Sequence, residues 1–197
     1  MTIQNKTAIA DDFKSHLKAV ETTLERILPD IERGVEMLWE VVRSGQKLFL
    51  CGNGGSAADA QHFSAEWLAR YKDDRPPLPA QALTCDTSTL TAVGNDYGFE
   101  KVFSRQLKAL GKPGDLLIAL TTSGQSPNIV SAISQAKKNG MKVIALSGER
   151  GITLSGLVDL LIVVPSAETA RIQEIHELIY HSWCACIDSR LAQLHLV

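Results

Sequence analysis

The sequence has no run of Lys or Arg, no basic helix, and a formal net charge of −2. Proteins that hold nucleic acid by neutralising phosphates need such a patch, so no nucleic-acid partner is expected. Long apolar stretches are also missing. Runs such as Leu116–Leu120 and Leu160–Val164 are far too short to span a bilayer, so no membrane is expected. Residues 1–10 are polar and carry no apolar signal core, which points to the cytoplasm. Of the 4 cysteines, Cys51, Cys85, Cys184 and Cys186, none forms a C-x-x-C pair, which argues against a structural zinc finger. Cys184 and Cys186 stand two apart on an expected helix and so face different sides. Buried or half-buried thiols in a reducing compartment are the expectation for all four. There are no repeats, no low-complexity tract and no linker, so residues 1–197 are expected to be a single domain.

What is present is an alternation of helical and strand patterns. Phe13, Leu17, Val20, Leu24 and Ile27 recur at helical spacing. Pro29 is expected to end that helix. A second helix is expected over about 30–44, with Ile31, Val35, Leu38 and Val42 on one face. These two helices, within residues 1–45, precede an α/β unit over 46–197, and their apolar stripes suit packing on another subunit. Short, nearly continuous apolar runs predict strands at Leu48–Cys51, Ala80–Thr84, Leu116–Leu120, Val143–Leu146 and Leu160–Val164. Helical segments are expected over 56–71, 88–94 with 100–110, 127–139 and 169–193. The fold class is therefore α/β: a three-layer, doubly wound sandwich on a five-stranded parallel sheet of flavodoxin-like nucleotide-binding type, plus N-terminal helices. Ligands of such sheets sit at the carboxyl ends of the strands.

Two loops at such ends carry chemistry. Gly52–Ala57 matches G-x-G-x-x-A and follows a strand. It reads equally as a dinucleotide turn with Asp86 on the ribose, as a tight glycine turn, or as an anion or polyol site at a helix N-terminus. The second loop is Thr121-Thr122-Ser123-Gly124-Gln125-Ser126-Pro127. Ser126 has the character of an N-cap and Pro127 suits the first helical position. Hydroxyls, a glycine turn and a helix N-terminus suit a phosphate monoester held without a lysine; the Gly-Lys-Ser/Thr of a Walker loop is absent. His62 and Glu66 stand at i and i+4 on one helix face, as a surface hydrogen-bonded pair or as a metal or proton-transfer pair. Gln173 and His181 lie a little over two turns apart on the last helix, so both can face one cleft. His176 and Glu177 between them are explained by packing and charge alone.

On these residues the chain resembles the sugar isomerase (SIS) domain family. The matching pieces are Cys-Gly-Asn-Gly-Gly-Ser at 51–56, Asp-Ala-Gln-His-Phe at 59–63, Arg-Tyr at 70–71, Arg-Pro at 75–76, Gly-Asn-Asp at 94–96, Thr-Ser-Gly-x-Ser at 122–126 and Arg-Ile-Gln-Glu-Ile-His at 171–176. They run collinearly over nearly the whole chain. The likeness is strongest to members that convert sedoheptulose 7-phosphate to D-glycero-D-manno-heptose 7-phosphate, the first step toward the heptose of lipopolysaccharide or other surface glycans. The resemblance implies a cytoplasmic homotetramer with sites at subunit interfaces and one Zn2+ per subunit. It implies that Asn53, Gly54, Gly55, Ser56, Asn95, Asp96 and Gln173 hold the sugar and that Thr121, Thr122, Ser123 and Ser126 hold the phosphate. His62, Glu66, Gln173 and His181 match the zinc ligands, and Glu66 with His181 the acid–base pair. A sister group in the same family is a non-catalytic tetramer that associates with a replication initiator; it does not keep the glutamate and the last-helix histidine, both present here. Ala170 stands where the family often has Asp or Pro, so no role is carried over to that position.

Overall fold

The computed structural model describes residues 3–193. Helix α1 spans Ile3–Arg43 and is followed by β1 (Leu48–Cys51), α2 (Gly55–Leu68), β2 (Ala80–Ala82), α3 (Thr87–Tyr97), a 3₁₀ turn at Phe99–Lys101 and α4 (Ser104–Leu110). The second half runs through β3 (Leu116–Thr121), α5 (Pro127–Lys138), β4 (Lys142–Gly148), a 3₁₀ segment at Glu149–Leu154, β5 (Leu160–Val164) and α6 (Thr169–Gln193). The sheet is five-stranded and all parallel, in the order β2-β1-β3-β4-β5. This is the expected α/β fold.

Alternation along the strands builds two cores. Leu48, Leu50, Leu116, Ile118, Leu120, Ile144 and Leu146 face a cluster completed by α1, α2 and α6. Phe49, Cys51, Leu117, Ala119, Val143 and Ala145 face the other, completed by α3, α4 and α5. Side chains buried on both faces explain why each strand reads as an apolar run. The sheet order places the topological switch between β1 and β3. From β1 the chain turns to α2 on one face, and from β3 to α5 on the other, which opens a crevice at the strands' carboxyl ends.

The N-terminal region departs from expectation. The two helices are one, with Pro29 inside it. An internal proline removes one hydrogen bond and costs about 3 kcal/mol, but α1 is packed on both sides of it. Val20, Ile27, Ile31, Val35 and Leu38 all lie against the same core, and the Trp183 indole donates to the Ile31 carbonyl at 2.8 Å. Tertiary packing overrides the local signal. Strand β2 also stops at Ala82, short of the expected Thr84. The cysteines divide more sharply than foreseen: Cys51 and Cys184 are buried, whereas Cys85 and Cys186 are exposed.

Close approach of α1 and α6 depends on Gly34, where a Cβ would clash with the Trp183 ring. Gly34→Val is expected to destabilise the fold by about 1–3 kcal/mol, lowering the midpoint of urea unfolding; an unchanged midpoint would show that the two helices separate at no cost.

Candidate active site

The turn from β1 into α2 is tight. Gly52 lies so close to the Ser56 backbone that any Cβ would clash, and Gly54 takes φ 57°, a left-handed conformation that favours glycine. Gly55 has a different reason to lack a side chain: the Gln173 amide packs where its Cβ would be. The turn thus brings α6 onto the first turn of α2. There Asp59 is buried, and burial raises its carboxyl to about 6, with the Gln173 amide and His62 pulling against this and Glu177 adding to it.

One and two turns further along α2 stand His62 and Glu66. The His62 side chain is 43% exposed and that of Glu66 17%, and His62 Nε2 lies 3.0 Å from Glu66 Oε1. His181 reaches the same point from α6, its ring centroid 4.9 Å from that of His62. Ligand atoms of His62, Glu66 and His181 all lie within 4.8 Å of one another. Two imidazole nitrogens and one carboxylate oxygen are a zinc-type donor set with room for further ligands. The other nitrogen of His62, Nδ1, is 3.1 Å from the Tyr180 hydroxyl and 3.5 Å from Glu177 Oε1. Outer partners of this kind fix the orientation and tautomer of a metal-ligating histidine. Burial pushes the Tyr180 phenol up, with Glu177 adding to it, so it stays protonated at His62. Tyr71 stacks on His181 at 5.4 Å, closing the second histidine against an aromatic wall. The structure therefore brings His62, Glu66 and His181 together and places Gln173 beside Asp59 and Gly55.

The β3 loop leaves the sheet at the same end as the β1 turn. Thr121 accepts from Gly124 N at 3.1 Å, and Ser123 from Gln125 N at 3.3 Å. Both bonds curl the loop. Gly124, at φ 67°, packs against Gly151 of the following 3₁₀ segment, and no larger residue fits there. Ser126 occupies the N-cap position of α5, but its side chain makes no capping bond. Asp86, weighed above as a ribose ligand, instead caps α3 by accepting from Thr89 N at 3.0 Å and Thr89 Oγ1 at 2.6 Å. Asn95 and Asp96 are exposed near the end of α3 and bond to each other at 2.8 Å, apart from the residues above.

Several contributors escaped sequence reasoning. Asn128 exchanges two amide hydrogen bonds with Asn53, at 2.9 and 2.7 Å, which tie the first loop to the start of α5. Arg150 lines a small cleft with Thr122 and Ser123. Glu177, set aside as a packing residue, points at His62. Its only advance signal is its position one turn before His181. His176 does stay out of the cluster: it is fully buried. A cleft of ≈ 770 Å³ between α4 and α5 is lined by Lys101, Arg105, Lys108 and Lys138. It contains none of His62, Glu66 and His181, and the donor chemistry of those three outweighs cleft size in locating the site.

Among the described residues, no helix is long and apolar enough to cross a membrane. Fold and site together define an α/β protein with a zinc-type donor cluster. The SIS domain profile matches residues 11–148. A phosphoheptose isomerase of Aliarcobacter butzleri is 47% identical over 95% of this chain and 99% of its own. The solved phosphoheptose isomerase structures of Francisella tularensis and Neisseria gonorrhoeae superpose with TM-scores of 0.90 and 0.88. They are 43% and 42% identical, and the matches cover 96% and 95% of this chain and 100% of each of theirs. The chain belongs to the SIS domain family, within its phosphoheptose isomerase branch. The sister reading as a replication-initiator partner is not favoured.

Burial drives His176 down to about 4, partly offset by the Ser147 backbone. Below pH 6.5 the unfolded chain takes up this proton and the folded chain resists it, so stability is lost as pH falls from about 6.5 to about 4, by roughly 3 kcal/mol in all. Urea midpoints at pH 7 and pH 4.5 should therefore differ less in His176→Phe than in the parent; equal differences would clear His176 of that role.

Proposed function

We propose that this protein isomerises sedoheptulose 7-phosphate to D-glycero-D-manno-heptose 7-phosphate in the cytoplasm, feeding heptose to lipopolysaccharide or other surface glycans. The observation that carries this reading is the convergence of His62, Glu66 and His181 from two helices onto one point. Residues 1–197 act as a single SIS unit.

Thr121, Thr122, Ser123 and Ser126 anchor the phosphate with the N-terminus of α5. Asn53, Gly54, Gly55, Ser56 and Gln173 hold the sugar at the β1 turn. His62, Glu66 and His181 would hold Zn2+, with Gln173 as the fourth ligand that the family resemblance implies. When bound, the ion polarises the substrate carbonyl and stabilises negative charge on the neighbouring oxygens. Glu66 removes a proton from C1 of the ketose, whose carbonyl is at C2, and returns it to C2. His181 gives a proton to O2 as the enediol forms and takes one from O1 as the aldehyde forms, so the step is an isomerisation with nothing gained or lost. A carboxylate has two oxygens. One can stay beside His62 while the other carries the proton, which would let Glu66 serve as both ligand and base.

The protein works as a homotetramer. Helix α1 leaves Ile9, Phe13, Leu17, Leu24 and Leu28 exposed along its length, Phe13 by 70% and Leu17 and Leu24 by 60% each. A second copy of the chain is the occupant of that stripe, since isologous contacts are self-complementary. Asn95 and Asp96, remote from the cluster in their own chain, serve the sugar of a neighbouring one.

Glu66→Gln should lower turnover of sedoheptulose 7-phosphate by about 100-fold or more with the circular dichroism spectrum unchanged, and a chelator should lower it in the parent; wild-type turnover in the variant would exclude Glu66 as the base. Sedimentation tests the assembly: Phe13→Glu combined with Leu17→Glu should shift the parent tetramer to smaller species, and a parent that sediments as an active monomer would contradict it.

A further inference from the structure

The Arg75 guanidinium is buried against the last turn of α2 and meets Glu66 only at its backbone. Its side chain is 2% exposed and that of its partner Asp188 5%, and Nε donates to Asp188 Oδ1 at 2.6 Å. The remaining donors do something an ion pair alone would not. Nη2 donates to the backbone carbonyl of Glu66 at 2.7 Å, and Nη1 donates to that of Trp67 at 3.0 Å and to that of Pro76 at 3.2 Å. Glu66 and Trp67 are in the last turn of α2, where carbonyls have no helical donor of their own. A buried cation there also complements the helix dipole. Asp188 lies on α6 two turns beyond His181 and so on the same face. Its second oxygen accepts from Lys72 N at 3.4 Å.

We infer that Arg75 and Asp188 are positioning residues, a clamp that sets the register of α2 against α6 and so fixes Glu66 relative to His181. A buried ion pair is weak evidence for stability, because desolvation offsets the attraction, and registry is its best-attested use. Here the pair is attached to the backbone of one site residue and to the helix of another. A planar fork makes these bonds in fixed directions; a lysine keeps the charge but cannot reach Asp188 and two carbonyls at once.

The inference rests on the proposed roles of Glu66 and His181, and its test separates the two. Arg75→Lys keeps the charge and loses the fork. Arg75→Met with Asp188→Leu removes both charges together, leaving none stranded, and Asp188→Asn keeps the shape. Each variant that melts cooperatively is assayed for zinc affinity with a chromophoric chelator, for kcat and KM on sedoheptulose 7-phosphate, and for amide exchange across residues 62–69. We expect the zinc dissociation constant to rise 10- to 100-fold, the range seen for outer partners of metal ligands. We also expect kcat to fall at least 10-fold with KM within about 3-fold, because the phosphate loop is untouched, and exchange in the last turn of α2 to quicken. Folded variants with parental zinc affinity, kcat and exchange would overturn the clamp and leave a purely structural pair. If the parent binds no zinc, the metal reading fails, while the kcat and exchange arms still decide the clamp. If the parent does not turn over this sugar, exchange alone decides it: faster exchange in the variants supports the clamp and unchanged exchange overturns it.

Discussion

The handedness of parallel crossovers is the constraint on which the rest depends. Right-handed connections, with the order β2-β1-β3-β4-β5, send the chain to opposite faces after β1 and after β3. Two loops then part at the same end of adjacent strands, and two helix N-termini point into the gap. Every polar group that the sequence places just after Cys51 or just after Leu120 is delivered there, with no further demand on the loops than glycine at the tight points.

The other half of the site comes from packing between helices. α6 lies over the same face as α2, and its register decides which of its side chains reach His62. Tyr180 and Glu177 support His62 from behind, Tyr71 stacks on His181, and Phe63 stacks on Tyr180 at 5.0 Å. Ligands on rigid helices held by aromatic contacts vary little in geometry. That suits a reaction in which a single proton moves between neighbouring carbons.

Much of the fold was legible, because buried parallel strands leave apolar runs that local reading finds, and because helix-to-strand alternation allows few topologies. The β1 and β3 loops were legible as tight turns, because glycine gathers where the backbone turns sharply or packs closely. What could not be read has one cause: it depends on contacts distant in sequence. Pro29 stays helical because Ile31 and its neighbours find α6 and the sheet. Gly55, which looks like part of a phosphate turn, is small to admit Gln173 from the other end of the chain. Glu177 is an ordinary helical acid until α2 is placed beside it, and the Asp86 that suited a ribose proves to be an ordinary cap.

The two loops are joined by Asn53 and Asn128, whose side chains exchange both a donor and an acceptor. Primary amides have no proton to lose or gain near neutrality. The brace between the β1 turn and the start of α5 is therefore indifferent to acidity. As the medium turns acid, the span between the loops stays the same, so acidity leaves unchanged how long a molecule the crevice admits.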